Sequence, residues 1–158
     1  MAIIAYLQVT GTKSGAFTGA VTTAAHANWI GVIGVDYSVM SPHDTATGMA
    51  SGKRQHRPLR ITKETDKSSP QFFNALVTNE VLKTCTLAFV KTSASGIEEP
   101  FSTIVLTNAS VASLQLVMPD PKTVEASKSP LFEAIDLTFQ KIEWTMAGGK
   151  TVQDDWRP

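Results

Sequence analysis

The stretch with most capacity for chemistry is residues 47–64, TGMASGKRQHRPLRITKE, where a lysine follows two spaced glycines and leads into a basic run with one histidine. A phosphate loop of the form G-x-x-x-x-G-K-[ST] uses backbone N–H groups, a lysine and a hydroxyl to hold nucleotide phosphates and magnesium. GMASGK is one residue short between its glycines, puts Arg54 where the hydroxyl belongs, and runs into PLRITKE, which alternates like a strand. No nucleotide site is expected. His26, His43 and His56 each lack a His, Cys, Asp or Glu at the spacings zinc sites use, so each reads as a surface or hydrogen-bonding residue. No G-x-S-x-G elbow occurs, and the lone Cys85 makes no Cys/His dyad. Glu98–Glu99 and Asp154–Asp155 are adjacent carboxylates. Neighbours on a strand point to opposite faces, so neither makes an acid–base pair. The chain is therefore expected to have no catalytic residue, metal ligand or cofactor.

Most of the elements that would carry these residues read as strands. AIIAYLQVTG stops at Gly11; WIGVIGVDYSVM is apolar, with Gly31 and Gly34 suggesting bulges or a close backbone approach. LKTCTLAFVKT alternates with Cys85, Leu87 and Phe89 on one face, and FSTIVLTNASVASLQLVM reads as two strands around Asn108. In FEAIDLTFQKIEWTM, Ile135, Leu137 and Phe139 share one parity and Ile142, Trp144 and Met146 the other, which predicts a bulge near Gln140–Lys141. TVQDDW makes a last short strand after the turn signal GGK. One segment departs from this. Ser69 suits an N-cap, Pro70 the first helical position, and Phe72, Phe73, Leu76 and Val77 recur at helical spacing, as a stripe packed on strands. Loops are expected at 10–20, 38–55, 92–99, 119–130 and 147–149. The one from 38 to 55 is long enough to imply a function or ordering by a partner.

The 158 residues carry 14 basic and 14 acidic side chains, so the net charge is zero. A protein whose main partner is a polyanion needs a basic surplus, and the run 53–67 lacks the interleaved aromatics of single-strand binders. That run is either a solvated strand or a surface that meets acidic groups on another subunit. From 1 to 35 only Lys13 is charged. Such a stretch is either core strand or a surface covered by copies of the same chain. No apolar run is long enough to span a membrane, and the first residues lack a secretory signal's basic start, so synthesis in the cytoplasm without a signal peptide is expected. One cysteine excludes an internal disulfide framework.

Residues 51–89, SGKRQHRPLRITKETDKSSPQFFNALVTNEVLKTCTLAF, resemble the hemolysin-coregulated protein (Hcp) family of type VI secretion. TIVLTNASVAS, FQKIEWTMAGGK, the DDW near the C-terminus, and GAVT followed by WIGVIGVDYSVMSP are similar to the same family in the same order. The resemblance implies a mainly β fold: one domain over 1–158, a compact two-sheet β-barrel with a flanking helix at about 69–78 and a protruding loop at about 38–55. It implies a tube subunit that forms hexameric rings with itself. The rings stack, work with a contractile sheath and a spike, leave the cell through the type VI machine, and in some members hold effectors in the lumen. Neither nucleic acid nor direct membrane insertion is implied. Gly34 and Asp36 are the expected lumen-facing residues. Tyr37, Met40, Ser41, His43, Arg54, His56, Arg57, Asp154, Asp155 and Trp156 are expected at subunit or ring-stacking contacts. Charge alone suggests that Arg54 and Arg57 meet Asp154 or Asp155 there. The rival readings are a monomeric β-barrel binding module, for instance for carbohydrate, and a secreted effector. The uncharged stretch 16–35 and the loop SASGIEEP depart from the family.

Overall fold

Alternating burial places the strands. In LRITKE the side chains of Leu59, Ile61 and Lys63 are buried while those between them are not, and in FEAIDLT the same holds for Glu133, Ile135 and Leu137. The two segments pair antiparallel with Leu59 opposite Leu137, Ile61 opposite Ile135 and Lys63 opposite Glu133, so their inward faces form one stripe of the core. The computed structural model, which describes residues 2–125 and 130–157, repeats this logic along the chain.

In chain order the elements are β1 (Ile3–Gly11), β2 (Gly15–Ala16), a 3-10 turn (Ala24–His26), β3 (Ile30–Val32), β4 (Gly34–Asp36), β5 (Val39–Met40), β6 (Gln55–His56), β7 (Leu59–Glu64), α1 (Ser69–Thr78), β8 (Leu82–Thr92), β9 (Glu98–Val117), β10 (Phe132–Thr138), β11 (Lys141–Met146) and β12 (Thr151–Asp155). The main ladder runs β2-β1-β8-β9-β10-β7-β4, with β11 and then β12 also reached from β9, and β3 lying on β1. β9 passes through both sheets: its first half pairs with β8 and β11, its second half with β10. The segment from β3 to β4 does the same, pairing with β1 and then with β7. The expected mainly β, two-sheet architecture with one helix therefore holds. The sheets are joined by these corner segments, without one unbroken cylinder of hydrogen bonds. Leu7, Val9, Ile30, Ile61, Phe72, Leu82, Cys85, Leu106 and Ile135 fill the core between them.

The parity change read near Gln140 and the strand boundary read at Asn108 meet at one corner. Burial along β9 shifts from Ile104 and Leu106 to Ala109 and Val111 across Asn108, which has φ 51°. Opposite, β10 ends at Thr138 and β11 starts at Lys141. Gln140 N–H bonds the carbonyls of Thr107 and Asn108, and Asn108 Nδ2 donates to Gln140 Oε1 at 2.6 Å. So the expected bulge near 140 is a break between two strands on different sheets. The expected pair of strands around Asn108 is one 20-residue strand bent there.

The helix starts where expected, but Ser68 is its N-cap and Pro70 its second residue. Asn79, at φ 54°, closes it in a left-handed conformation, a common helix stop. The apolar stripe splits. Phe72 and Ala75 are buried, whereas Phe73 and Val77 are exposed on the outer face. The glycine that close backbone approach demands is Gly19, where a Cβ would lie 2.2 Å from the Trp29 carbonyl oxygen; at Gly31 and Gly34 the nearest atoms are at ordinary contact distance. Of the expected loop 119–130, residues 126–129 lie outside the described residues.

Candidate functional site

The expected loop 38–55 is an ordered hairpin. β5 and β6 pair at its base, Arg57 N–H bonds Ser38 O, Ser51 N–H bonds Pro42 O, and His43 bridges to Ala50. Its end is a turn in which the Asp44 carboxylate accepts the N–H groups of Ala46 and Thr47. An aspartate accepting from the residues two and three ahead is a common way to close a turn. Almost every side chain from 39 to 53 is exposed, including Met49 at 69%.

A chain of four side chains ties the hairpin's base to the C-terminal strand. Tyr37 Oη lies 2.7 Å from His56 Nδ1, and His56 Nε2 lies 2.7 Å from Asp154 Oδ2. A carboxylate only accepts, so Nε2 carries a proton toward Asp154, and in the neutral ring Nδ1 accepts from the Tyr37 hydroxyl. Arg54 closes the chain with a two-pronged bond to Asp154, 2.8 Å on each arm, and also donates to the carbonyls of Asp155 and Arg157. Phe139 and Trp156 pack around the imidazole, with centroids 5.6 and 5.8 Å away. The His56 side chain is 2% exposed. Arg54 holds the Asp154 carboxyl below the usual carboxylate range against the cost of its partial burial, with His56 adding to the effect. Burial, and then the Asp154 charge, push the Tyr37 phenol up.

A Tyr-His-Asp sequence of bonds resembles a proton relay, but here it has no substrate end. Both ring nitrogens are engaged, the imidazole is buried, and the phenol is held in its neutral form. Trp156 is stacked by His56 on one side and met edge-on by Phe139 at 4.9 Å, so its ring is committed to packing. Among the described residues no three His, Cys, Asp or Glu side chains converge as metal ligands. These bonds tie the hairpin's base, through Arg54 and His56, to β12.

The structure brings together Tyr37, Arg54, His56, Asp154 and Trp156 from the expected contact residues. It corrects one pairing, since Arg54 meets Asp154 within one chain, where charge alone suggested a neighbouring subunit. Arg57 reaches no carboxylate among the described residues; it points to Met40 Sδ at 3.8 Å. His43 Nδ1 is bonded to its own arm at Ser41 O. Asp36 lies apart, at the edge of a polar row on the outer face of the second sheet. There Arg60 pairs with Asp136 at 2.8 Å, and Ser113 donates to the same carboxylate.

The sequence reading missed a second cluster. Lys63 is fully buried, with Nζ 2.5 Å from Glu133 and 3.0 Å from Asp66, and it also donates to Ser69 Oγ and Glu64 O. The basic run is thus not one solvated strand. Inward parity at 63 and at 133 was the signal, a lysine and a glutamate both placed among core positions of pairing strands.

The family model described as "Type VI secretion system effector, Hcp" matches residues 6–146. The chain is 32% identical over 167 aligned residues to the "Major exported protein" of Pseudomonas aeruginosa, covering 99% of this chain and 97% of that protein. Hcp1 of the E. coli EAEC 042 pathovar is similar in structure at TM-score 0.86 and 29% identity, over 98% of this chain and 99% of that one. Hcp3 of Pseudomonas aeruginosa is similar at TM-score 0.80 and 30% identity, over 99% and 100% of the two chains.

Proposed function

The chain belongs to the Hcp family of type VI secretion, and we propose that it is the structural subunit of the secretion tube, assembling as hexameric rings that stack and are expelled from the cell. The observation that carries this reading is the hairpin. It is ordered by its own ladder, held at its base by the Tyr37–His56–Asp154–Arg54 chain, and exposed along almost its whole length with Val39, Met40 and Met49 uncovered. A projecting, pre-shaped arm with apolar side chains suits contact with other copies of the chain, because little further ordering entropy is lost when it docks. In this reading the exposed Met40, Ser41, His43 and Arg57 make contacts, while Tyr37, Arg54, His56, Asp154, Asp155 and Trp156 aim the arm.

The polar row Asp36–Arg60–Asp136–Ser113, with Gly34 beside it, is the surface we assign to the ring lumen. In this reading a polar wall of this kind lets effector cargo pass without adhering to it. The sheath and the spike are the remaining partners. The test is particle mass with electron micrographs. Six-subunit rings are the expected result; a monomer at all concentrations would replace this reading with that of a lone β-barrel binding module.

A further inference from the structure

This inference rests on the tube reading and adds a partner class to its lumen wall. The outer face of the second sheet is built from alternate residues of four paired strands. Across β4, β7, β10 and the second half of β9, Asp36, Arg60, Asp136 and Ser113 form one row. Gly34, Thr62, Ala134 and Gln115 form the next row, and Glu64, Phe132 and Val117 the last. The ionisable side chains in these rows are three carboxylates and one guanidinium.

Charge on this face does not cancel. Arg60 spends Nε and one Nη on Asp136, at 2.8 and 3.1 Å. Asp36 stands opposite Arg60 and is exposed, yet among the described residues it makes no ion pair, and neither does the exposed Glu64. Three carboxylates against one guanidinium leave the rows at −2, while the whole chain is neutral. The balancing positive charge therefore lies elsewhere on the subunit. The rows of Asp36 and Glu64 are four strand positions apart, roughly 13 Å. Between them lie the small Gly34 and Thr62, with Ala134 beyond, so an extended chain has room between the two free carboxylates.

Closing six copies around a channel repeats this face six times. Like charges on a concave wall add their potentials, and the low dielectric of the protein behind them focuses the field. We propose that the lumen selects cargo by charge: it admits protein segments rich in lysine and arginine, and it repels acidic proteins and nucleic acid. The attraction is ionic and between hydrated groups, so it weakens as salt rises and leaves cargo free to move along the wall.

The test uses assembled rings of the full chain and two rhodamine-labelled peptides, decalysine and decaglutamate, read by fluorescence anisotropy at low salt. Decalysine is expected to bind and decaglutamate to stay free. Asp36→Asn combined with Glu64→Gln should weaken decalysine binding by about tenfold with ring mass unchanged. Arg60→Gln releases Asp136 and should tighten it by about threefold. Glu99→Gln combined with Asp44→Asn removes two exposed carboxylates from other surfaces and should change it by less than about twofold. Undiminished decalysine binding in the Asp36 and Glu64 double variant overturns the proposal. So does an equal loss in the Glu99 and Asp44 variant, or decaglutamate binding as tightly as decalysine. Each of those outcomes with intact rings leaves the tube reading standing. A monomeric mass at all concentrations removes both.

Discussion

Lys63 and Glu133 face each other across β7 and β10 with their charges fully enclosed, and Ser69 Oγ adds a hydrogen bond to Glu133. Removing one member of such a pair leaves the other charge buried and uncompensated, which costs about 3–5 kcal/mol. Lys63→Met is therefore expected to lower the melting midpoint by roughly 10 °C in a chain of this size. Lys63→Met combined with Glu133→Leu should recover most of that loss, measured by chemical denaturation. Asp154 works differently, because its side chain and that of Arg54 are 41% and 34% exposed and solvent screens the pair. Asp154→Asn should leave the barrel's stability nearly unchanged and speed amide exchange in residues 39–56. The pH dependence has a definite sign. Arg54 lowers the folded-state pKa of Asp154, so this latch contributes fully above the ordinary carboxylate pKa near 4. The contribution is lost as pH falls through the depressed folded value. Protection of the hairpin amides, corrected for intrinsic exchange, should therefore fall as pH drops below the ordinary carboxylate range.

At the scale of elements, the hairpin and the body are separable. Residues 41–51 close on themselves through the Pro42–Ser51 and Asp44–Met49 backbone bonds and contribute nothing to the core cluster. Excising them shortens a loop, which changes closure entropy by less than about 1 kcal/mol. The variant should melt like the parent but form unstacked rings; a variant that stacks and is secreted normally would show that the arm has no part in assembly. The helix and the 3-10 turn are not separable in this way. Phe72 packs edge-on against Phe17 at 5.0 Å, and Gly19 runs against the Trp29 backbone.

At the scale of the whole molecule, two sheets share one core, because β9 crosses from one to the other and the segment from β3 to β4 crosses back. Neither sheet can lose its inner face without exposing the other's. The expected result is one cooperative unfolding transition, with calorimetric and van't Hoff enthalpies equal. Two resolved transitions would mean that residues 1–158 are not one cooperative domain.

Periodicity along the chain determined much of this fold. The longer strands, the helix at 69–78, the parity break near Gln140 and the change of strand at Asn108 were legible because each depends on the spacing of side chains within one segment. The resemblance read from residues 51–89 and its companions pointed to the family for a similar reason, since it too is a matter of residues in order. Tertiary structure alone decided who meets whom. Arg54 and Asp154 are 100 positions apart, Lys63 and Glu133 are 70 apart, and the corner residues Asn108 and Gln140 are 32 apart. Charge said that Arg54 wanted a carboxylate, but not that its own C-terminal strand would supply it. The register of pairing strands sets those contacts, and register belongs to the whole core.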